Sequence, residues 1–244
     1  MNPKAHTNPV AAFAVPGGNV MLLVIVKAKA IPCEVLGMKM LLRMLSDTQK
    51  QILYGAILGD SHVEIGQSLR RKARVRFEHA AQERDYIEWK NRALAPYTTP
   101  VRKVEVFDKR TRRCYEKVRF DTLTLSIFEE FRRIFYVGNT KIVPSNISRY
   151  LTSPLALAVW YLDDGGKRTD CKAYRLHTNC YSLPEVEVLQ EALRKNFDVS
   201  SVIHKQGKGF LLYIRARNGQ ANRFCEVVKP VVSSRIPSML HKFH

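Results

Sequence analysis

The chain has no Cys-x-x-Cys pair, no apolar run long enough to cross a bilayer and few acidic residues, and each absence narrows what it can be. Five cysteines (Cys33, Cys114, Cys171, Cys180 and Cys225) are an odd number without zinc-finger spacing. A disulfide framework is therefore not expected, and reduced thiols in a reducing compartment are. His62, His79, His177 and His204 also lack metal-ligand spacing, which argues against zinc. The longest apolar run near the N-terminus, Val20 to Val26, falls far short of the ~20 residues a membrane helix needs. It has neither a basic leader nor a clear cleavage site, so no secretory signal and no membrane association are expected. Acidic residues number 22 against 40 Lys and Arg, leaving +18 over 244 residues. That excess points to a polyanionic partner, nucleic acid before an anionic membrane, although a basic enzyme or a ribosome-associated protein shares it. With 45% hydrophobic and 25% charged residues the composition is that of an ordinary folded protein.

Residues 1–42 carry Pro3, Pro9, Pro16, Gly17, Gly18 and Pro32 without sustained periodicity. They read as an extension with weak or no fold of its own, and Met38, Met40 and Met44 would allow a later start. Order begins at Ser46-Asp47-Thr48-Gln49, a capping box that opens an apolar helix closing on Gly59-Asp60. A second such helix opens at Ser153-Pro154, a good N-cap followed by proline at the first helical position, and closes on Asp163-Asp164-Gly165-Gly166. Carboxylates at the negative end of a helix are unfavourable unless a cation compensates them. Gly55 and Gly59, one turn apart inside the first helix, call for the close approach of another helix along that face.

After each aspartate the same order of elements recurs: strand, helix, hairpin, helix. In the first unit the strand is Ser68 to Ala80, with Arg70, Lys72, Arg74 and Arg76 alternating with apolar positions. A helix over about 82–94, a hairpin around Lys109, Arg110 and Arg112, and a helix over about 127–135 come next. In the second unit the elements fall at about 172–178, 184–197, 202–215 and 218–227. Lys141 lies 81 residues beyond Asp60 and Lys242 lies 78 beyond Asp164, while the aspartates are 104 apart. Matched order and spacing argue for a duplication and a pseudo-twofold α/β (α+β) molecule, divided at 43–150 and 151–244.

Side by side, the two helices would bring Asp60 and Asp164 to one edge of their interface. The concentrated negative charge suits Mg²⁺, a hard cation that takes oxygen ligands and retains waters. Two such ions can stabilise the attacking and leaving oxygens of a phosphodiester displacement. Lys141 and Lys242 would position water or steady developing charge, and the cationic strands would track a duplex. The plainer alternatives are aspartates that merely end helices, and lysines that are ordinary surface residues. Trp89 and Trp160 read as core.

Leu157-Ala158-Val159-Trp160-Tyr161-Leu162-Asp163-Asp164-Gly165-Gly166-Lys167 resembles the second motif of the single-chain LAGLIDADG homing endonucleases, and Leu53 to Asp60 resembles the first. The W-[FY]-x-D-D-G-G-K form is that of the omega-intron branch. Lys141-Ile142-Val143-Pro144 and Ile236-Pro237-Ser238-Met239-Leu240-His241-Lys242 match its two lysine blocks. The resemblance covers about 45–244. It departs at Gly59-Asp60-Ser61, where the family name reads Ala-Asp-Gly.

The resemblance implies two αββαββα halves, each laying a four-stranded antiparallel sheet into the major groove to form a DNA-binding saddle, with the motif helices at their interface. Asp60 and Asp164 would hold two or three Mg²⁺, Mn²⁺ being able to substitute. Gly59 and Asp163 are placed in the same metal neighbourhood, Asp163 more as a capping group than as a ligand. Lys141 and Lys242 would be the pocket lysines. Glu78 or His79, and Asn179, fall where the family often has a polar strand residue near the metals. The DNA-binding candidates are Arg70, Lys72, Arg74, Arg76, Arg102, Lys109, Arg110, Arg112, Lys117, Arg119, Lys167, Arg168, Lys172, Arg175, Lys205, Lys208 and Arg215. The expected activity is site-specific cleavage of double-stranded DNA across the minor groove, leaving short 3′ overhangs, by a monomer with a long asymmetric recognition site. The expected setting is synthesis within an organelle, chloroplast or mitochondrion. An intron RNA maturase on the same fold is the alternative. A DNA-binding regulator would normally add a helix-turn-helix domain, for which residues 1–42 leave no room.

Overall fold

The computed structural model describes residues 45–66 and 72–244, and Leu41–His244 form one compact unit. The expected extension over residues 1–42 and the candidate Arg70 lie outside the described residues. Helix α1 (Asp47–Leu58) opens on the capping box, with the Gln49 N–H donating to Ser46 Oγ at 3.2 Å and the Ser46 N–H to Gln49 Oε1 at 3.0 Å. Each repeat then places four strands in one antiparallel sheet. The first holds β1 (His62–Ile65), β2 (Ala73–Ala80), β3 (Arg102–Asp108) and β4 (Arg113–Asp121), in the order β1-β2-β4-β3. Helix α2 (Arg84–Ala93) crosses between β2 and β3, and α3 (Glu129–Phe135) comes after β4. A two-stranded ribbon, β5 (Tyr136–Val137) and β6 (Thr140–Lys141), completes the repeat.

The second repeat begins with α4 (Pro154–Asp164), whose N-cap Ser153 accepts from the Ala156 N–H at 3.2 Å. Strands β7 (Gly165–Lys167), β8 (Tyr174–His177), β9 (Val202–Gln206) and β10 (Gly209–Ile214) pair in the order β7-β8-β10-β9, the same topology as the first sheet. Helix α5 (Leu183–Phe197) joins β8 to β9, and α6 (Gln220–Arg235) comes after β10.

Two features differ from the sequence expectation. Each repeat gains a short strand directly after its aspartate, β1 and β7, and these four- and three-residue segments are too brief to show alternation. The last helix runs to Arg235 instead of ending near Val227, and Pro230 lies within it. Proline removes one backbone donor there. The buried Val228 and Val232 on either side hold the helix against the core.

Every residue of α4 from Leu155 to Leu162 is buried, as is α1 from Ile52 to Leu58. Both helices lie in the centre of the unit, and the sheets pack on their flanks. Phe77 stacks on Phe120 with ring centroids 4.5 Å apart under the first sheet, and Tyr161 packs on Tyr174, Phe224 and Phe243 under the second. Each such side chain contributes about 1.5–3 kcal/mol of burial free energy. Trp160 is fully buried and Trp89 packs against the same core, as expected.

Candidate active site at the ends of two central helices

The C-terminal half of α1 runs against α4 from its first turn to its end because glycine permits it. A Cβ on Gly55 would lie 2.3 Å from the Ala156 carbonyl oxygen and 2.9 Å from Val159 Cβ, and one on Gly59 would lie 2.5 Å from Asp163 Cβ. No real side chain fits either gap. This contact carries Asp60 and Asp164 together, close enough for each carboxyl to bear on the other's ionisation. Burial, then the neighbouring Asp60 and Asp163 carboxylates, push the Asp164 carboxyl up to about 7. The same kinds of influence, burial first, raise Asp60. Two carboxyls at two negative helix ends oppose each other's ionisation, which favours a shared proton in the absence of metal. A divalent metal would replace it.

Among the described residues no group of three or more His, Cys, Asp or Glu comes together to hold a metal. The donor set is a carboxyl pair of hard oxygens. It fits a Mg²⁺ that keeps several waters and shares phosphate oxygens, not a cage that binds metal alone.

Two lysines flank this edge in matching positions. Lys141 Nζ, on β6, donates to the Gly59 carbonyl at 2.6 Å and the Ser61 carbonyl at 3.2 Å. Lys242 Nζ, in the last turn of a 3₁₀ segment (Pro237–Lys242), donates to the Leu162 and Gly165 carbonyls. Each ammonium thus meets the open carbonyl end of the helix that carries its own aspartate. Burial pushes the Lys141 ammonium below the usual lysine range, opposed by Cys180, Asp164 and Asp60. The Tyr161 hydroxyl donates to the Lys242 carbonyl at 2.5 Å and anchors the second lysine segment.

Gly59 and Asp163 take different places from Asp60 and Asp164. The Gly59 carbonyl already accepts from Lys141. The Asp163 side chain has no exposed surface and meets Lys90 Nζ at 2.6 Å and the Tyr86 hydroxyl at 2.7 Å through its Oδ1. His79 Nε2 lies 3.5 Å from the same oxygen, and His79 Nδ1 is 2.8 Å from Glu83. Burial alone would raise the Asp163 carboxyl, but Lys90 and His79 outweigh it and hold it at about 2. Asp163 is thus a buried anion tied through its Oδ1, while its Oδ2 is buried without a hydrogen-bond partner, and its charge bears on both Asp60 and Asp164. His79 belongs to this buried cluster. Glu78 pairs with Lys117 and Arg119 on the exposed face, and Asn179 is exposed, with its amide 3.4 Å from Gln206 Oε1.

The signal for Lys90 was in the phase of α2. Tyr86, Ile87 and Lys90 are its three buried residues, Lys90 lying four and three positions beyond the other two on a single face, so a lysine there has no route to solvent. Lys90 has no exposed surface and stands over the Tyr86 ring at 4.2 Å.

The strand cations divide by register. In the first sheet Arg74, Arg76, Arg102, Lys117 and Arg119 share the face opposite the core with Glu64, Glu78 and Asp121. A cleft of about 410 Å³ lined by Asp60, Arg76, Glu78, His79, Lys117 and Arg119 joins this face to the aspartate pair. In the second sheet Arg175 shares the outward face with Tyr213, and Arg215 continues in the same phase. Lys109, Arg110 and Arg112 lie exposed in the β3–β4 turn, Lys208 lies exposed in the β9–β10 turn, and Lys172 is exposed before β8. Lys72 is half-buried at the start of β2, with its carbonyl accepting from Gly66. Arg168 is ion-paired with Asp170 beside the Tyr213 ring.

Two candidates, both exposed, sit apart from the others. Lys167 donates its Nζ to the Phe243 carbonyl at 2.7 Å, which ties β7 to the C-terminal segment. Lys205 pairs opposite Phe210, so it lies on the face turned from Tyr213.

Comparison with known proteins agrees with this geometry. Residues 50–221 match the LAGLIDADG DNA endonuclease family. The chain is 28% identical over 195 residues to a cytochrome b mRNA maturase bI2 of Debaryomyces hansenii, covering 79% of this chain and 72% of that protein. It is 30% identical over 201 residues to the DNA endonuclease I-ChuI of Chlamydomonas applanata, covering 76% of this chain and 91% of the relative. The solved structure of the homing endonuclease I-WcaI bound to its DNA recognition sequence superposes with a TM-score of 0.73 at 26% identity, over 90% of this chain and 97% of that one. With its two aspartate-ended helices, repeated sheets and paired lysines, the chain belongs to the LAGLIDADG DNA endonuclease family.

Proposed function

We propose that the protein is a site-specific endonuclease that hydrolyses one phosphodiester bond in each strand of a DNA duplex at Asp60 and Asp164. The observation that carries this reading is the carboxyl pair at two joined helix ends, with Lys141 and Lys242 on its flanks and a cationic sheet face beside it. The family and the DNA-bound homologue support it. Asp60 and Asp164 would hold Mg²⁺, two or three ions, or Mn²⁺ in its place. Bound there, the metal supplies Lewis-acid polarisation of a phosphoryl oxygen and a water of lowered pKa. Lys141 and Lys242 keep positive charge at the helix ends, where it offsets the carboxylates and can order attacking water. Arg74, Arg76, Arg102, Lys117 and Arg119 engage the duplex in the major groove. Both aspartates and both lysines come from one chain, which favours a monomer built of halves 43–150 and 151–244 that binds a long asymmetric site. Cleavage across the minor groove, with short 3′ overhangs, is carried by the resemblance.

The test uses a supercoiled plasmid carrying the site at which the gene's own intron is inserted. Linear product that requires Mg²⁺ or Mn²⁺, and disappears in Asp60→Asn and Asp164→Asn, is the expected result. Full cleavage by either variant would sink the mechanism.

A second reading is favoured by one observation: relatives at 28% and 29% identity, in Debaryomyces hansenii and Saccharomyces cerevisiae, are named cytochrome b mRNA maturases. On this reading the chain assists splicing of its host intron RNA, and the same names favour an organelle as its setting. Splicing in vitro that persists in Asp60→Asn would assign the protein a maturase role independent of cleavage.

A further inference from the structure

The two sheets repeat one topology but not one chemistry. Strands β1 to β4 contain Glu64, Glu78, Glu105, Asp108, Glu116 and Asp121, whereas β7 to β10 contain no acidic residue. Three of the first sheet's carboxylates stand on the outward face and hold its cations across strands. Asp121 binds Arg76 Nε and an Arg102 amino group, each at 2.8 Å. Glu64 binds Arg74 and Arg76, both at 2.7 Å. Glu78 binds Lys117 at 2.8 Å and Arg119 Nε at 2.7 Å. In the second sheet, by contrast, Arg175 forms no ion pair among the described residues, and its neighbour Tyr213 stacks on His204 at 4.9 Å.

A carboxylate on a DNA-facing surface weakens attraction to phosphate, which is the main source of affinity. It also restricts its arginine: a guanidinium held from two strands cannot swing to whichever phosphate is nearest. What remains is orientation, the requirement for a two-pronged contact with guanine O6 and N7. An arginine without such a clamp, beside stacked rings, suits phosphate and van der Waals contacts that tolerate sequence change.

We propose that the first sheet is the base-reading half of the protein and the second the holding half, with Glu64, Glu78 and Asp121 as the positioning residues that create the difference. The recognition site is then asymmetric in stringency: few base changes are accepted under the first sheet and many under the second. This inference rests on the reading of the protein as a DNA endonuclease.

The experiment selects bound duplexes from a library of fully randomised 40-mers, using the full chain with Ca²⁺ in place of Mg²⁺. One half-site should emerge strongly restricted and the other permissive. Glu78→Gln, a half-exposed and isosteric change, and Asp121→Asn should tighten binding to random duplex. They should also reduce base preference in the restricted half by on the order of 10-fold at one or two positions. Arg175→Gln should instead weaken binding evenly across sequences. Equal stringency in both half-sites, or a Glu78→Gln variant whose base preferences match those of the wild type, would overturn the inference while leaving the endonuclease reading intact. Failure to bind any duplex would remove both.

Discussion

Lys90 Nζ lies 2.6 Å from Asp163 Oδ1, and neither side chain has any exposed surface. The pair joins the second helix of the first repeat to the motif helix of the second. Removing one partner leaves a buried charge without compensation, which costs about 3–5 kcal/mol. Lys90→Met should therefore lower the midpoint of urea unfolding sharply, and the double variant Lys90→Met/Asp163→Leu should recover much of the loss. If the double variant is as unstable as Lys90→Met alone, the pairing is not what Lys90 contributes.

The aspartate pair makes the metal-free protein sensitive to pH. Asp164 is held at about 7, above its ordinary 3.8. A carboxyl whose pKa is raised on folding stabilises fully below about pH 4, and this contribution is lost as pH rises through about 7. In EDTA, Tm should fall from pH 5 to pH 8, and Asp164→Asn should flatten that fall and raise Tm at pH 8. Mg²⁺, which displaces the shared proton, should stabilise the wild type more at pH 8 than at pH 6. An unchanged slope in Asp164→Asn would refute the assignment.

The helix contact has its own test. A methyl group at Gly55 would meet the Ala156 carbonyl at 2.3 Å, against backbone that cannot swing aside. Gly55→Ala should destabilise by about 1–3 kcal/mol through overpacking, even though alanine is the better helix former. A gain in stability would mean that the helices separate readily.

Lys141 and Lys242 sit at equivalent positions, so their removal should act alike. Lys141→Met and Lys242→Met should each lower kcat by about 10²-fold with little change in duplex affinity. Affinity lost in proportion to rate would place these lysines in DNA binding instead.

Much of the site was legible because its chemistry lies in short, contiguous signals: a capped apolar helix, an aspartate at the wrong end, a glycine pair, a lysine at matched distance. The Gly55 and Gly59 requirement is met by the close approach of α4. What stayed hidden was determined between segments. Along β2 alone, Arg74 and Arg76 make the exposed face look mostly cationic. Their partners Glu64 and Asp121 come from β1 and β4, and only pairing brings them together. Lys167 closes the second motif, yet its partner is a carbonyl 76 residues away. Lys205 differs from its neighbours only by the parity of a five-residue strand, where a shift of one position changes the face.

The contact of Gly59 with Asp163 also bears on how freely the two repeats could be exchanged. They are structural duplicates, yet each presents a different residue at this point. A homodimer of the first repeat would set glycine against glycine and leave Lys90 buried without the Asp163 carboxylate it now meets. A homodimer of the second would press two aspartates together where one barely fits. The ancestral symmetry has thus become complementarity, and a chimaera made from this chain must carry residue 163 with an α2 that supplies Lys90, or lose both.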